Sequence, residues 1–325
     1  MTTLVRPSAD SPSVPSASPA DGATDPAPRA AEAATASRSG ASGRWRRSVR
    51  AVGSVRIPVL GWGGLAAALV LAFVLLAALA PRLLTAVDPL AADPLATLQP
   101  PGGEHPAGTD SLGRDVLARI IHGTRYSLTI GVAATALAAA GGVLLGLVAG
   151  SGNRAVDTVV ARAVDVLAAF PEILLALVLI AFTGPGVGNL IVAIGVAGIP
   201  RFARVVRAQT QLVRTSGYVE QARTFGLSGL RLATRHVLPN ALTAVPVLAT
   251  IGLGGAIIGA AGLSFLGLGP QPPTPEWGAM LAENRNYLRV AWWGAVFPGL
   301  AVVATVVSAT VLGRAIQRHL ERVAA

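Results

Sequence analysis

The chain has 325 residues, is 52% hydrophobic and only 13% charged, and has a mean hydropathy of +0.60. Soluble domains carry about 25% charged residues, so this composition belongs in a membrane. The net charge is +10 and all 26 basic residues are Arg; with no Lys and no Cys the chain lacks a P-loop lysine, a Schiff-base amine, a thiol nucleophile and thiolate metal ligands. The four His (His105, His122, His236, His319) are scattered without metal-ligand spacing. No catalytic residue, cofactor or metal is therefore expected.

Residues 1–43 are rich in Ser, Pro, Ala and Asp and show no apolar periodicity. Such a segment buries too little surface to offset chain entropy and is expected to be a disordered cytoplasmic tail. It has no apolar core of the kind a secretory signal needs. Residues 44–56 form a basic juxtamembrane collar of Arg44, Arg46, Arg47, Arg50 and Arg56, suited to anionic lipid headgroups.

Ile57–Ala80 runs 24 residues without a charge, long enough at about 1.5 Å per residue to cross a hydrocarbon core of about 30 Å. Five further apolar stretches, at about 126–150, 158–182, 189–206, 239–263 and 290–313, predict an all-α, polytopic membrane protein with six spans over residues 57–325. The third and fourth are separated by Gly184-Pro185-Gly186-Val187-Gly188, which predicts a loop. The third carries Arg162, Asp165 and Glu172, with a kink expected at Pro171. Arg162 and Asp165 are spaced for a local ion pair. Glu172 either faces an aqueous pathway, where it could meet a substrate amino group, or serves the bundle structurally. Gly142, Gly146 and Gly150, and again Gly252, Gly255 and Gly259, fall near small-xxx-small spacing, which suits close helix packing or a dimer seam.

The segment 108–123 reads as an external helix lying at the membrane interface, N-capped by Asp110. Leu112, Val116, Leu117, Ile120 and Ile121 share one face; Arg114, Asp115, Arg119 and His122 lie mostly on the other, with Asp115 and Arg119 four apart. It would be a lid or a contact for an external partner. Trp277, Trp292 and Trp293 suggest an aromatic belt at the outer boundary. Six spans with the tail inside leave 20 Arg on the inner side and 6 (Arg82, Arg114, Arg119, Arg125, Arg285, Arg289) outside, which predicts both termini in the cytoplasm. This distribution accounts for the basic excess without nucleic acid.

Between spans four and five lies a polar, helix-prone hairpin over 214–239, placed by the same count in the cytoplasm. Thr215 or Ser216 can cap a first short helix carrying Glu220, Gln221 and Ala222, and Gly226 can end it in the left-handed conformation. Ser228 can cap a second helix, which Pro239 should end by pushing Leu238 extended before span five begins. The expected product is a two-helix elbow joined to a membrane helix, able to transmit a push.

The pattern Glu220-x-Ala222, three residues, Gly226, then eleven residues to Leu238-Pro239 resembles the EAA loop of permease subunits of ATP-driven ABC importers. Gln221 stands where that family usually has Ala, and His236 where it has an aliphatic residue. HPAGTDSLGRDVLARIIHGTRYSL from His105, RAVDVLAAFPEILLALVLI from Arg162 and LSFLGLGPQPPTPEWGAML from Leu263 are similar to the dipeptide/oligopeptide/nickel permease group, C-type subunit. Pro270 departs from that group's more usual aliphatic residue. The resemblance, which covers about residues 57–325, implies a type I importer permease of a bacterial cytoplasmic membrane. It further implies a second, B-type permease, two ABC ATPase subunits that bind the EAA loop and hydrolyse ATP, and an external solute-binding protein that delivers substrate. Glu220, Gln221, Ala222, Gly226, Leu238 and Pro239 would couple to the ATPase. The substrate class it implies is di- or oligopeptides, with nickel or antimicrobial peptides as alternatives on the same plan. A proton-coupled secondary transporter using Asp165 and Glu172 is the alternative of a different class.

Overall fold

In lipid every backbone N–H and C=O must be satisfied within its own segment, so apolar stretches of this length are forced into helices. A computed structural model of the chain describes residues 62–324. The expected tail 1–43, the collar 44–56 and the start of span one lie outside the described residues. The helices are α1 (Trp62–Leu79), α2 (Val116–Ala149), α3 (Arg154–Ala168), α4 (Glu172–Thr183) and α5 (Val187–Arg214), then α6 (Gly217–Thr224), α7 (Gly229–Leu232) and α8 (Leu238–Ala241), and finally α9 (Val245–Phe265), α10 (Trp277–Asn284) and α11 (Trp293–Ala324). Among the described residues five stretches are long and apolar enough to cross a membrane, and the pair α3 and α4 makes a sixth only as a broken unit bent by 88°.

The kink expected at Pro171 is thus a full break that divides the stretch 158–182 between two helices. Pro171 cannot donate to the preceding turn, and the helix breaks over 169–171. α3 is set off by its amphipathic pattern and is tied to α5 by two ion pairs. Asp157 receives Nε and Nη2 of Arg207 at 2.5 and 2.8 Å, and Asp165 receives Arg204 Nη2 at 3.0 Å. Asp165 thus pairs across helices with Arg204 rather than locally with Arg162. α5 itself runs on to Arg214, past the expected end of span four near 206. The expected loop 184–188 shrinks to Gly184–Gly186, since Val187 and Gly188 already belong to α5.

The main packing seam joins α2 to α5. At Gly142 a Cβ would stand 2.2 Å from Phe202 Cβ, and at Gly146 2.8 Å from the Ala203 carbonyl oxygen, so the first glycine series serves packing within the chain. Buried apolar side chains form two clusters. Ile130, Ile180, Leu190 and Leu263 centre one of them, and Val116, Ile257, Trp277 and Trp293 the other.

The second cluster lies beneath a cap at the end of the bundle where α2 starts. The segment 108–115 is not helical: α2 begins at Val116, N-capped by Asp115 rather than Asp110, and continues as one 34-residue helix. The expected interfacial helix is therefore not a separate element, and its polar face is buried. Arg114 Nε donates to Asp110 Oδ2 at 2.7 Å, while Arg114 Nη2 and Arg119 Nη2 both reach Glu283 Oε2 on α10, at 2.7 and 3.0 Å. Asp115 also meets His105 Nδ1 at 2.9 Å. Trp277 and Trp293 are buried anchors and not a belt: their indole N–H groups donate to the carbonyls of Ile120 and Thr109, each at 3.0 Å. Only Trp292 of the three is exposed.

Candidate functional site

The elbow stands at the opposite end of the bundle, built on the last turns of α2 and α5. Arg214, the last residue of α5, donates Nη1 to the Gly150 carbonyl at 2.7 Å, placing a cation at the negative end of the α2 dipole. The chain then turns at Thr215 and Ser216. Ser216 holds the N-cap position of α6, but its hydroxyl donates back to the Val213 carbonyl and does not cap. Val219 is fully buried and seats α6 on the bundle.

Gly226 ends α6 with φ +79°, the left-handed conformation that an L side chain adopts only at a cost of about 1–2 kcal/mol. The Leu227 N–H reaches the Ala222 carbonyl (3.3 Å) and the Gly226 N–H reaches that of Arg223 (3.0 Å), the two bonds of a Schellman stop. Nothing among the described residues lies within 4 Å of a Cβ placed at Gly226, so its constraint there is conformational and not steric crowding.

Beyond the stop the chain departs from expectation. Leu238 is not extended but helical, at φ −55° and ψ −53°. The reason is a π-helical turn over Ala233–Val237, in which the Leu238 N–H reaches back five residues to the Ala233 carbonyl. This wider turn shifts the register where Pro239, lacking an N–H, would otherwise leave a bond unmade and crowd the carbonyl four residues earlier. Just beyond it the Asn240 side chain donates to the His236 carbonyl at 2.7 Å. Leu232, Val237 and Ala241 are buried at spacings of five and four, which follow the π turn. From Gly229 to Phe265 the chain is helical nearly throughout, and Ala233–Phe265 qualifies as one crossing stretch. The elbow and the membrane helix are mechanically one piece.

The outward face of the elbow carries Glu220 and Gln221, both exposed, and Ala222 is half-buried. The Glu220 carboxylate has no side-chain partner among the described residues. At the tip Phe225 is 84% exposed, an aromatic ring left almost bare by the described residues. It escaped the sequence reading, although an aromatic residue directly before the glycine stop of a polar hairpin was its signal. Behind the elbow a cavity of about 700 Å³ separates it from the ends of α2 and α5, with Leu147, Thr210, Arg214, Arg223, Leu227 and Leu232 on its walls. Residues 220–222, 226 and 238–239 thus form one continuous feature. Glu172 is elsewhere, at the first position of α4, on a second cavity shared with α9.

Residues 142–324 match the family described as binding-protein-dependent transport system inner membrane component. The chain is 36% identical over 277 residues to the dipeptide transport system permease protein DppC of Alkalihalophilus pseudofirmus, across 85% of this chain and 89% of that one. It is 41% identical over 214 residues to the di/tripeptide transport system permease protein DppC of Pseudomonas aeruginosa, across 66% and 71%. It is 39% identical over 234 residues to the probable D,D-dipeptide transport system permease protein DdpC of Escherichia coli, across 72% and 78%. Among solved structures, a crystal structure of an amino acid ABC transporter with histidines superposes with a TM-score of 0.51 at 15% identity, covering 62% of this chain and 94% of that one. At that identity the likeness is one of fold.

Proposed function

Because the chain belongs to the binding-protein-dependent transport system inner membrane component family, we propose that it is the membrane-spanning subunit of an ATP-driven importer of di- or oligopeptides. It works with a second, B-type permease, two ABC ATPase subunits and an external solute-binding protein, in a bacterial cytoplasmic membrane. Both termini and the elbow face the cytoplasm, a topology supported by the 20 to 6 distribution of Arg. Identities of 36–41% to permeases named for dipeptides and di/tripeptides support the substrate class.

The observation that carries the mechanism is the helical continuity between an exposed elbow and α9. Glu220, Gln221 and Phe225 offer a polar and aromatic surface to an ATPase groove, and Gly226 fixes the angle between the two arms. ATP hydrolysis belongs to the ATPase subunits, and their closure moves the elbow. Since Gly229–Phe265 is one helical path, that displacement is delivered to the membrane interior and does not dissipate in a loop. Leu238 and Pro239 matter here as part of the shaft.

Gly226→Val is the test. A β-branched residue at φ +79° distorts the stop without filling any occupied space. The variant should reach the membrane at normal levels and the assembly should still hydrolyse ATP, but peptide uptake should fall about tenfold or more, as one misplaced strut changes geometry by ångströms. Uptake at the normal rate would remove the lever from the mechanism.

A further inference from the structure

Two charges beside a cavity between α4, α5 and α9 are untouched by the elbow: Glu172 is exposed and Arg201 half-buried. Glu172 opens α4 at the Pro171 break, and its Oε1 lies 3.6 Å from the position of a Cβ at Gly198 on α5. Arg201, three residues further along α5, lays its guanidinium against the glycine face of α9. Nη2 is 3.2 Å from a Cβ position at Gly252, and Nη1 is 3.9 Å from that at Gly255. Gly255 also lines the cavity of about 340 Å³ into which Glu172 opens, together with Ala176, Ile194, Ile258 and Gly259. One bare glycine position thus neighbours both charges.

Among the described residues neither side chain has a hydrogen-bond or ion-pair partner. Arg201 Nε is buried without an acceptor, and the ring of Phe202, 5.8 Å from the guanidinium carbon, is its one aromatic contact. Arg201 stands 14 residues into α5, about 21 Å from the start of that helix at 1.5 Å per residue and so within a hydrocarbon core of about 30 Å. Charges at such depth pair with one another or line a water-filled path. These two share a neighbour and do not pair. Nor does packing explain the glycines of the cavity wall: among the described residues a Cβ at Gly255 would meet only Arg201 Nη1, at 3.9 Å, and one at Gly259 nothing within 4 Å, in contrast to the crowded Gly142 and Gly146.

We propose that Glu172 and Arg201 form a bipolar contact for the zwitterionic backbone of a short peptide in transit, Glu172 taking the protonated α-amino group and Arg201 the α-carboxylate. The proposal rests on the peptide-importer reading above and names the contacts within it. An extended dipeptide holds its terminal charges about 7 Å apart at about 3.3–3.6 Å per residue, further than an ion pair and so suited to two charges that do not meet. The cavity volume falls within the range of about 300–1000 Å³ common for small-molecule sites. A glycine floor leaves room for any side chain, so recognition falls on the termini that all short peptides share. Two single contacts hold weakly enough to let go, as passage requires.

The test uses proteoliposomes containing the whole assembly with ATP on the elbow side, and the probe is labelled Ala-Ala. Glu172→Gln and Arg201→Gln should each lower the maximal uptake rate about tenfold or more, the worth of one charge-assisted hydrogen bond. The half-saturating concentration should stay unchanged, because the external binding protein sets it. Glu172→Asp and Arg201→Lys keep the charge and should remain within about threefold of the wild type, which separates charge recognition from assembly failure. Unchanged rates in both Gln variants would overturn the proposal, as would equal losses in the charge-conserving variants. Release of the second permease from the Arg201→Gln assembly would also overturn it, by making Arg201 an intersubunit contact. A wild-type assembly that moves no Ala-Ala would instead overturn the importer reading itself.

Discussion

Replacing Glu283 by Gln should open the cap over the start of α2. Glu283 Oε2 accepts from Arg114 Nη2 at 2.7 Å and Arg119 Nη2 at 3.0 Å, and the two guanidinium side chains are 5% and 1% exposed. Asp110 Oδ2 supplies the second negative charge, 2.7 Å from Arg114 Nε and 3.6 Å from Arg119 Nε, so the buried cluster balances at two against two. Glu283→Gln leaves two buried cations facing one carboxylate. Breaking a buried pair in this way costs about 3–5 kcal/mol; because the Glu283 side chain keeps 16% exposure, the lower end, about 3 kcal/mol, applies. The chain has no Cys, so a single Ala107→Cys substitution, at a position 5% exposed within the cap, is a clean reporter of opening. At 1.4 kcal/mol per decade, its labelling by a thiol reagent should accelerate about a hundredfold in the Glu283→Gln background. The same change at exposed Glu104 should be silent. Acceleration below about threefold would refute the claim that Glu283 neutralises the two Arg.

Two further outcomes follow from the packing and from the elbow. Gly146→Leu drives a side chain into the Ala203 carbonyl and the Arg207 nitrogen, 2.8 and 2.9 Å from the Cβ position; backbone must move, and stability in detergent should fall by about 1–3 kcal/mol or more in a thermal unfolding assay. Phe225→Ser removes a ring that is 84% exposed, so the melting temperature should hold while the ATPase subunits are lost from the purified assembly; full retention of the ATPases would exclude the ring from the docking surface.

The features legible in the sequence were those with local causes. Apolar runs marked the membrane helices because a lipid-exposed backbone has no alternative to the helix. Gly226 marked its own stop because only glycine rests easily at φ +79°, and Pro171 marked the break because a missing N–H acts within one turn. What escaped had distant causes. Arg114 and Arg119 read as the polar face of an interfacial helix because their partner Glu283 is more than 160 positions away. The spacing of Asp165 points to Arg162, three residues off, whereas its partner Arg204 lies on another helix. Trp277 and Trp293 read as a belt because nothing local announces the carbonyls that receive their N–H groups. Pro239 was read by its usual effect on a helix, and the π turn that absorbs it has no sequence signature of its own.

The central claim is that energy comes from ATP on partner subunits and enters through the elbow. Uptake of labelled Ala-Ala by proteoliposomes holding the full assembly and its binding protein, with either ATP or a proton gradient as the sole energy source, tests it most directly. Uptake should require ATP on the elbow side and be indifferent to the gradient. Uptake driven by the gradient without ATP would contradict it and move Asp165 and Glu172 to the centre of a different mechanism.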